Sequence, residues 1–190
     1  MTLTETQEAI LDAVQSVIVR EGVGGASMRQ VAEEADVSLG LLSYHFDDKQ
    51  TLTLAAFERA TNELFGVSTA AADAVAGDEE RVVAFLRGSF TEEFLDGDYL
   101  RLRIALWTVA VTDPDVAKVD ATFYDRYRQK LTTLISAALP HVDPGEVRNR
   151  ATDVISLTNG LWLQWARFGE TEDLERGLRR CEALALGRDG

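Results

Sequence analysis

The chain has 190 residues, 46% of them hydrophobic, so it is long enough to bury a core and too apolar to be a disordered protein. A single cysteine, Cys181, excludes an internal disulfide framework, and no signal peptide or apolar run of about 18 residues is present, so we expect a cytoplasmic protein without a membrane span. The formal net charge of −13 is unusual for a protein that binds nucleic acid.

Residues 4–21 are predicted to form an amphipathic helix. Thr4 and Gln7 have the spacing of a capping box, in which each residue satisfies a backbone N–H group of the other. One apolar stripe follows at helical spacing, formed by Ile10, Val14, Val17 and Ile18. Gly22, Gly24 and Gly25 are predicted to end the helix.

Two short helices are predicted next. Ser27 and Gln30 again have capping-box spacing and start a helix that runs to Ala35. Ser38 is a favourable N-cap for a second helix of about two turns. Two short helices joined by a turn of about three residues are typical of a helix-turn-helix, whose second helix enters a DNA groove.

The second short helix has two different faces. Leu42 and Phe46 are four residues apart and are expected to face inward. The other face carries small, polar and aromatic residues, which are Leu39, Gly40, Ser43 and Tyr44. Asp47 and Gln50 have capping-box spacing, so a further helix is expected to begin there.

The motif residues between Ser27 and Leu52 resemble the DNA-binding segment of the TetR family of transcriptional repressors, without a gap. The matching residues are Ser27, Arg29, Val31, Ala32, Ala35, Val37, Ser38, Gly40, Leu42, His45, Phe46, Lys49 and Leu52. One position departs from the family pattern, because most members have tyrosine where this chain has Ser43. The sequence Leu-Ser-Tyr-His-Phe is more similar to the branch of choline-responsive repressors of betaine synthesis.

The resemblance implies a set of DNA contacts. Tyr44, His45 and Lys49 are the candidates for contacts with phosphates. Leu39, Gly40 and Ser43 are the candidate base readers, since Gly40 permits close approach and Leu39 can contact a thymine methyl group. Ser27, Arg29 and Ser38 complete the predicted DNA-binding set. The alternative interpretation is that these residues form a solvated polar helix end.

The charge of this region opposes binding to phosphates. Residues 1–50 contain three Arg or Lys residues and nine Asp or Glu residues, a net charge of −6. Two explanations are open. Either the acidic side chains face away from DNA, or the protein works in a salt-rich cytoplasm, where screening at about 1 M salt shortens the range of repulsion to about 3 Å.

The rest of the chain shows no strand pattern. A long helix is expected from Asp48 to Ala76, and apolar helical segments continue to Ala185 with breaks at Gly97, Pro114, Pro140, Pro144 and Gly169. We therefore predict an all-α protein of about nine helices. Residues 1–50 are predicted to form the DNA-binding domain, and residues 51–190 a helical domain for ligand binding and dimerisation.

Residues 80–185 resemble the C-terminal domain of the same branch at scattered positions. These are Trp107 near Asp113-Pro114, the Tyr- and Arg-rich segment 124–128, and the segment Asn159–Leu163. Aromatic residues could form a cage for a quaternary ammonium ligand or could serve only core and dimer packing. The candidate pocket residues are Phe85, Phe90, Tyr99, Trp107, Tyr124, Tyr127 and Trp162. A fatty-acyl ligand would suit these apolar helices as well as choline.

In the family, the last two helices form a four-helix bundle between two copies of the chain. The resemblance therefore implies a homodimer, with Leu161, Trp165, Leu178 and Cys181 as the candidate interface residues. Gly160 would permit two helices to approach closely.

No catalytic constellation is apparent in the sequence. The two histidines, His45 and His141, lie in different predicted domains, and no metal-ligand or phosphate-loop spacing is present. We therefore expect neither an enzyme nor a cofactor, but a homodimeric repressor that a small-molecule effector releases from operator half-sites about 34 Å apart. The alternative is a ligand-binding helical protein without specific DNA binding.

Overall fold

The computed structural model describes residues 4–188, which form ten α-helices and no strand. The helices are α1 (Glu5–Gly25), α2 (Met28–Glu34), α3 (Leu39–His45), α4 (Lys49–Asp73), α5 (Asp78–Gly88), α6 (Glu92–Leu95), α7 (Gly97–Ala110), α8 (Pro114–Ala138), α9 (Pro144–Phe168) and α10 (Thr171–Leu186). The predicted all-α class is confirmed. The additional helix arises because the apolar helical segment that was predicted to continue to Gly97 breaks between Gly88 and Glu92.

The described residues fall into two compact units. The first lies within Met1–Asn62 and Arg101–Ala121, and the second within Glu63–Leu100 and Thr122–Gly190. Helices α4, α7 and α8 contribute residues to both units. The structural division therefore differs from a single cut at residue 50, because parts of α7 and α8 belong with the N-terminal helices. The division of functions at residue 50 stays a prediction.

The core of the first unit is built on the apolar stripe of α1. Ile10 and Val17 are fully buried, and Val14 and Ile18 are nearly so, as their spacing predicted. Leu42 from α3 and Phe57 from α4 are also buried. Full burial of a side chain of this size contributes about 1.5–3 kcal/mol, so this stripe holds the short helices α2 and α3 in place.

The first helix does not end at Gly22. It continues to Gly25 across a kink at Gly22, whose φ of 73° interrupts the helical backbone. Glycine tolerates this left-handed conformation because it has no Cβ atom. The predicted glycines therefore do end α1, which stops at Gly25, but the helix continues for one short segment past the kink at Gly22 rather than stopping at residue 21.

The second unit packs α5, α9 and α10 together. Gly88 lies against α4 so closely that a Cβ atom there would be 2.8 Å from the Cα atom of Ser68. This approach brings three buried hydroxyl groups into a chain, in which Ser89 is hydrogen bonded to Ser68 at 2.9 Å and to Tyr127 at 2.8 Å. Buried polar groups need such partners to offset their lost hydration.

Candidate nucleic-acid interface and ligand site

Local capping builds the helix-turn-helix. The backbone N–H group of Gln30 donates to Ser27 Oγ at 3.3 Å at the start of α2. The backbone N–H group of Leu41 donates to Ser38 Oγ at 3.1 Å at the start of α3. Between the helices, Asp36 has a φ of 52° and makes the turn. Both predicted serine caps are confirmed.

The outer face of α3 is open to solvent. The Tyr44 side chain is 81% exposed, and its ring meets His45 edge to face with centroids 5.2 Å apart. Ser43 is exposed as well, and Leu39 is 45% exposed although it is apolar. A Cβ atom added to Gly40 would meet only Ser38 Oγ at 3.9 Å, so the packing of the chain does not require glycine at this position.

Few cations are available on this surface. Among the described residues, Arg29 is exposed and makes no ion pair or hydrogen bond through its side chain. Lys49 donates from Nζ to the carbonyl oxygen of Gly24 at 3.0 Å. Arg20 is bound to Glu34 and Glu21, and hydrogen bonds to these two carboxylates raise the pKa of Arg20. Arg29 is therefore the cation most free to meet a phosphate.

The start of α4 differs from the predicted capping box. The backbone N–H group of Thr51 donates to Asp48 Oδ1 at 2.8 Å, so Asp48 caps the helix rather than Asp47. This backbone hydrogen bond is the main reason that the pKa of Asp48 is lowered. The side chain of Gln50 does not return to the cap but donates from Nε2 to Asp115 Oδ2 at 2.7 Å, within the same compact unit.

The predicted pocket residues do not form one aromatic cage. Trp162 contacts Phe90 and Tyr99, with ring centroids 5.1 and 5.6 Å apart. Phe85 and Tyr127 form a second pair in the same unit, with centroids 4.6 Å apart.

The two other predicted pocket residues lie with arginines. The guanidinium carbon of Arg128 lies over the Tyr124 ring, 5.6 Å from its centroid. Trp107 belongs to the first unit, where Arg103 lies 5.1 Å from its ring centroid. The sequence could not separate these groups, because helical spacing does not show which helices meet.

Three of the four predicted interface residues are buried within their own chain. Leu178 is 2% exposed and Cys181 is fully buried, and burial raises the pKa of the Cys181 thiol to about 12. Leu161 is also buried, and Trp165 donates from Nε1 to the carbonyl oxygen of Leu95 at 2.9 Å. Leu161, Leu178 and Cys181 therefore offer a partner little surface, whereas Trp165 is half-buried. The assignment of all four to the dimer interface stays a prediction.

Two other positions on α9 are more open, Gly160, which the sequence already indicated as a point of close helix approach, and Leu163. Leu163 is 45% exposed, and a Cβ atom added to Gly160 would meet nothing within 4 Å. Apolar side chains at helical spacing are more often those that pack inside the protomer, so spacing alone does not indicate Leu163 as an open position.

Residues 4–188 contain neither a cluster of metal ligands nor a helix that could span a membrane. No group of three or more His, Cys, Asp or Glu side chains there is placed to hold a metal ion. None of the helices in that range combines the length and apolar character needed to cross a membrane.

Two family profiles match the chain. Residues 10–56 match the DNA-binding region of the bacterial regulatory proteins of the tetR family. Residues 78–186 match the C-terminal domain of the BetI-type transcriptional repressors. The chain belongs to the TetR family of transcriptional regulators. The family resemblance seen in the motif residues from Ser27 to Leu52 is thereby confirmed.

Relatives and solved structures agree with this membership. The HTH-type transcriptional regulator BetI of Paraburkholderia phytofirmans is 26% identical over 171 residues, covering 90% of this chain and 86% of the relative. A putative transcriptional regulator of Pseudomonas aeruginosa PAO1 has a TM-score of 0.85 and 27% identity, covering 96% of this chain and 89% of its own. A putative transcriptional regulator of Saccharomonospora viridis in complex with choline has a TM-score of 0.78 and 22% identity, covering 94% of each chain.

For this TetR-family regulator, the two family matches coincide with the features described above. The match over residues 10–56 contains the capped helices α2 and α3. The match over residues 78–186 contains the aromatic cluster of Phe90, Tyr99 and Trp162. The protein is therefore a helix-turn-helix transcriptional regulator.

Proposed function

We propose that the protein is a homodimeric repressor that binds operator DNA through α3 and is released by a small-molecule effector. The observation that carries the proposal is the open face of α3, which is anchored by buried Leu42 while Tyr44 and Leu39 remain exposed. Exposed aromatic and apolar side chains on a short capped helix are costly in water and useful in a major groove.

The chemistry of each side chain on the α3 surface indicates which part of the DNA it would contact. Tyr44, His45 and Lys49 can donate hydrogen bonds to phosphate oxygens, and Arg29 can add a second charge-assisted contact. Leu39, Gly40 and Ser43 face the bases, where direct reading occurs. Ser27 and Ser38 set the start of α2 and α3 and thereby orient these contacts.

We place the effector site in the second compact unit, around Trp162. Its ring and those of Phe90 and Tyr99 form a cluster, and aromatic faces attract quaternary ammonium groups. The complex of the Saccharomonospora viridis protein makes choline the first effector to test. An effector releases DNA only if it binds the released conformation more tightly than the DNA-bound one.

We place the dimer interface on the outer faces of α9 and α10. Gly160 leaves room for a second helix, and Leu163 is an apolar side chain that a partner would cover. Function on operator DNA implies a cytoplasmic protein and requires no catalytic residue.

The test is a footprint of the DNA upstream of the coding region, at salt concentrations from low to molar. We expect the wild-type protein to protect a palindrome and Tyr44→Ala to lose protection while remaining a folded dimer. Val111→Ala is the matched control, because Val111 is 84% exposed and lies outside α3. Absence of protection at every salt concentration would favour the alternative, a ligand-binding protein without specific DNA affinity.

A further inference from the structure

A solvent-facing cleft of about 500 Å³ lies between α6 and α10 in the second compact unit. Its apolar and aromatic lining includes Phe90, Leu95, Trp165 and Leu174. Small-molecule sites occupy about 300–1,000 Å³ and are mostly lined by apolar and aromatic side chains, so this cleft has the size and lining of such a site.

The aromatic walls are held in fixed positions. The Trp165 indole is anchored by its 2.9 Å hydrogen bond to the carbonyl oxygen of Leu95. Phe90 is supported from behind by Trp162, whose ring centroid lies 5.1 Å away. A ligand that enters the cleft therefore meets walls that need little rearrangement, which lowers the cost of binding.

The one basic side chain of the cleft is already neutralised. Arg87 donates from Nε to Glu182 at 2.7 Å and lies 3.2 Å from a carboxylate oxygen of Glu175. Partial burial acts to lower the pKa of Arg87, but these two carboxylates outweigh it and raise the pKa. Arg87 is thus a poor partner for an anionic ligand.

Two carboxylates of the cleft keep their acceptor capacity. Glu92 is exposed and has no hydrogen-bond or ion-pair partner among the described residues. Asp96 lies one turn further along and accepts from the backbone N–H group of Asp98 at 2.9 Å, through one of its two oxygens. Carboxylates with free acceptor oxygens, in the same cleft as an indole ring, favour a cation that carries N–H donors.

We propose that this cleft is a binding site for a protonated aliphatic amine. The ammonium group would lie between Glu92 and Asp96, and the alkyl chain would lie over Trp165 and Leu174. This site lies outside the DNA-reading helix and adjoins the effector cluster around Trp162, with which it shares Phe90. Its occupancy can be measured whether or not the protein binds DNA.

The experiment compares hexylamine with 1-hexanol, a neutral molecule of nearly the same shape, at pH 7. Calorimetry on the full chain should show hexylamine binding at least tenfold more tightly than hexanol.

The change in tryptophan emission on adding hexylamine should disappear in Trp165→Phe and persist in Trp107→Phe. The double variant Glu92→Gln with Asp96→Asn should bind both molecules alike.

Glu93→Gln serves as the charge-matched control, because Glu93 is an exposed residue of the same short helix outside the cleft. It should leave the preference for hexylamine unchanged, and circular dichroism should show the same fold for all variants. Equal binding of the two molecules to the wild type would overturn the proposal. So would a preference for hexylamine that survives in the double variant, or an emission change that survives in Trp165→Phe.

Discussion

Nη2 of Arg59, on α4, lies 2.6 Å from Oδ1 of Asp12, on α1. The two partners differ in environment, since the Arg59 side chain is 13% exposed and that of Asp12 is 73% exposed. Arg59 also donates to Gln15 Oε1 at 2.7 Å and to the carbonyl oxygen of Glu8 at 3.3 Å. The arginine therefore joins α4 to three residues of α1, and Asp12 is only one of them.

Arg59→Ala is expected to destabilise the protein by about 1–3 kcal/mol, because it leaves the acceptors of Gln15 and Glu8 without their donor. Asp12→Asn is expected to cost less than about 1 kcal/mol, since exposed ion pairs contribute little. Urea denaturation of both variants measures the difference. Equal losses would mean that the ion pair itself, and not the arginine hydrogen bonds, holds α1 to α4.

Leu39 is expected to read a thymine methyl group. Once an operator is defined by footprinting, replacing single thymines with uracil removes only that methyl group. At one position in each half-site, uracil should weaken wild-type binding by a few-fold to about tenfold, because the apolar contact is lost. Binding of Leu39→Ala should be insensitive to the same replacement.

Val111→Ala is the control for this experiment, because Val111 is an exposed apolar residue that lies outside α3 and outside the proposed dimer interface. It should keep the wild-type sensitivity to uracil. If no uracil position affects the wild-type protein while operator binding is intact, Leu39 does not read thymine and the assignment of α3 as the reading helix still stands.

Operator affinity is expected to rise with salt over a range in which most DNA-binding proteins lose affinity. Residues 1–50 carry a net charge of −6, and the Debye length falls from about 10 Å at 0.1 M salt to about 3 Å at 1 M. Screening should therefore weaken the repulsion between the acidic residues and the DNA phosphates more than it weakens the attraction between the basic residues and the phosphates. Fluorescence anisotropy with labelled operator, measured across this range in potassium chloride, checks the sign of the slope.

Asp47→Asn should raise the affinity at 0.1 M salt several-fold, because Asp47 is exposed beside α3 and has no cap to maintain. Asp78→Asn removes the same charge from α5 in the other compact unit and should have a smaller effect. A steep fall of wild-type affinity with salt would show that ordinary counterion release dominates and that the acidic residues lie far from DNA.

Asp73 is expected to stabilise the fold above pH 4 and to lose this effect in acid. Hydrogen bonds from Arg81 and then Lys130 lower the pKa of the Asp73 carboxyl below its ordinary value of 3.8. A carboxyl with a lowered pKa in the folded state contributes stability that is complete above the unfolded pKa and disappears as the pH falls through the folded pKa.

Urea midpoints of the wild type and Asp73→Asn should therefore differ at pH 7 and converge in acid, as the pH falls through the lowered pKa of Asp73. The effect should be small, because the carboxyl is exposed to solvent. Asp153→Asn is the control, since Asp153 is exposed and has no ion pair among the described residues. A difference that grows in acid would contradict the assigned direction of the pKa shift.

The sequence predicted the serine helix caps and the buried face of α1 correctly, because these features depend on residues close together in the chain. Ser38 caps α3 because a serine hydroxyl accepts from the next turn wherever it precedes a helix. Ile10 and Val14 are buried because their spacing leaves one apolar face on α1. The assignment of α3 as the reading helix followed from these same signals together with the family motif.

The sequence did not predict which aspartate caps α4 or which helices cover the apolar face of α10, because both depend on contacts between distant parts of the chain. Asp47 and Asp48 are chemically alike, and the capping residue is Asp48, while Gln50 turns to Asp115 at a distance of 65 residues along the chain. Leu178 and Cys181 have the apolar character of an interface, but α5 and α9 of the same chain cover them. Spacing along one helix shows that a face is apolar without showing what covers it.

The left-handed backbone at Asp36 has a consequence for how this regulator could be tuned. Asparagine and glycine adopt a positive φ more readily than aspartate, and either would also remove a negative charge from the turn before α3. A substitution at this single position would therefore change both the rigidity of the turn and the electrostatic repulsion between the turn and DNA. Asp36 has neither advantage, so we expect Asp36→Asn to bind the operator more tightly, and this position gives a biosensor built on this chain room for adjustment.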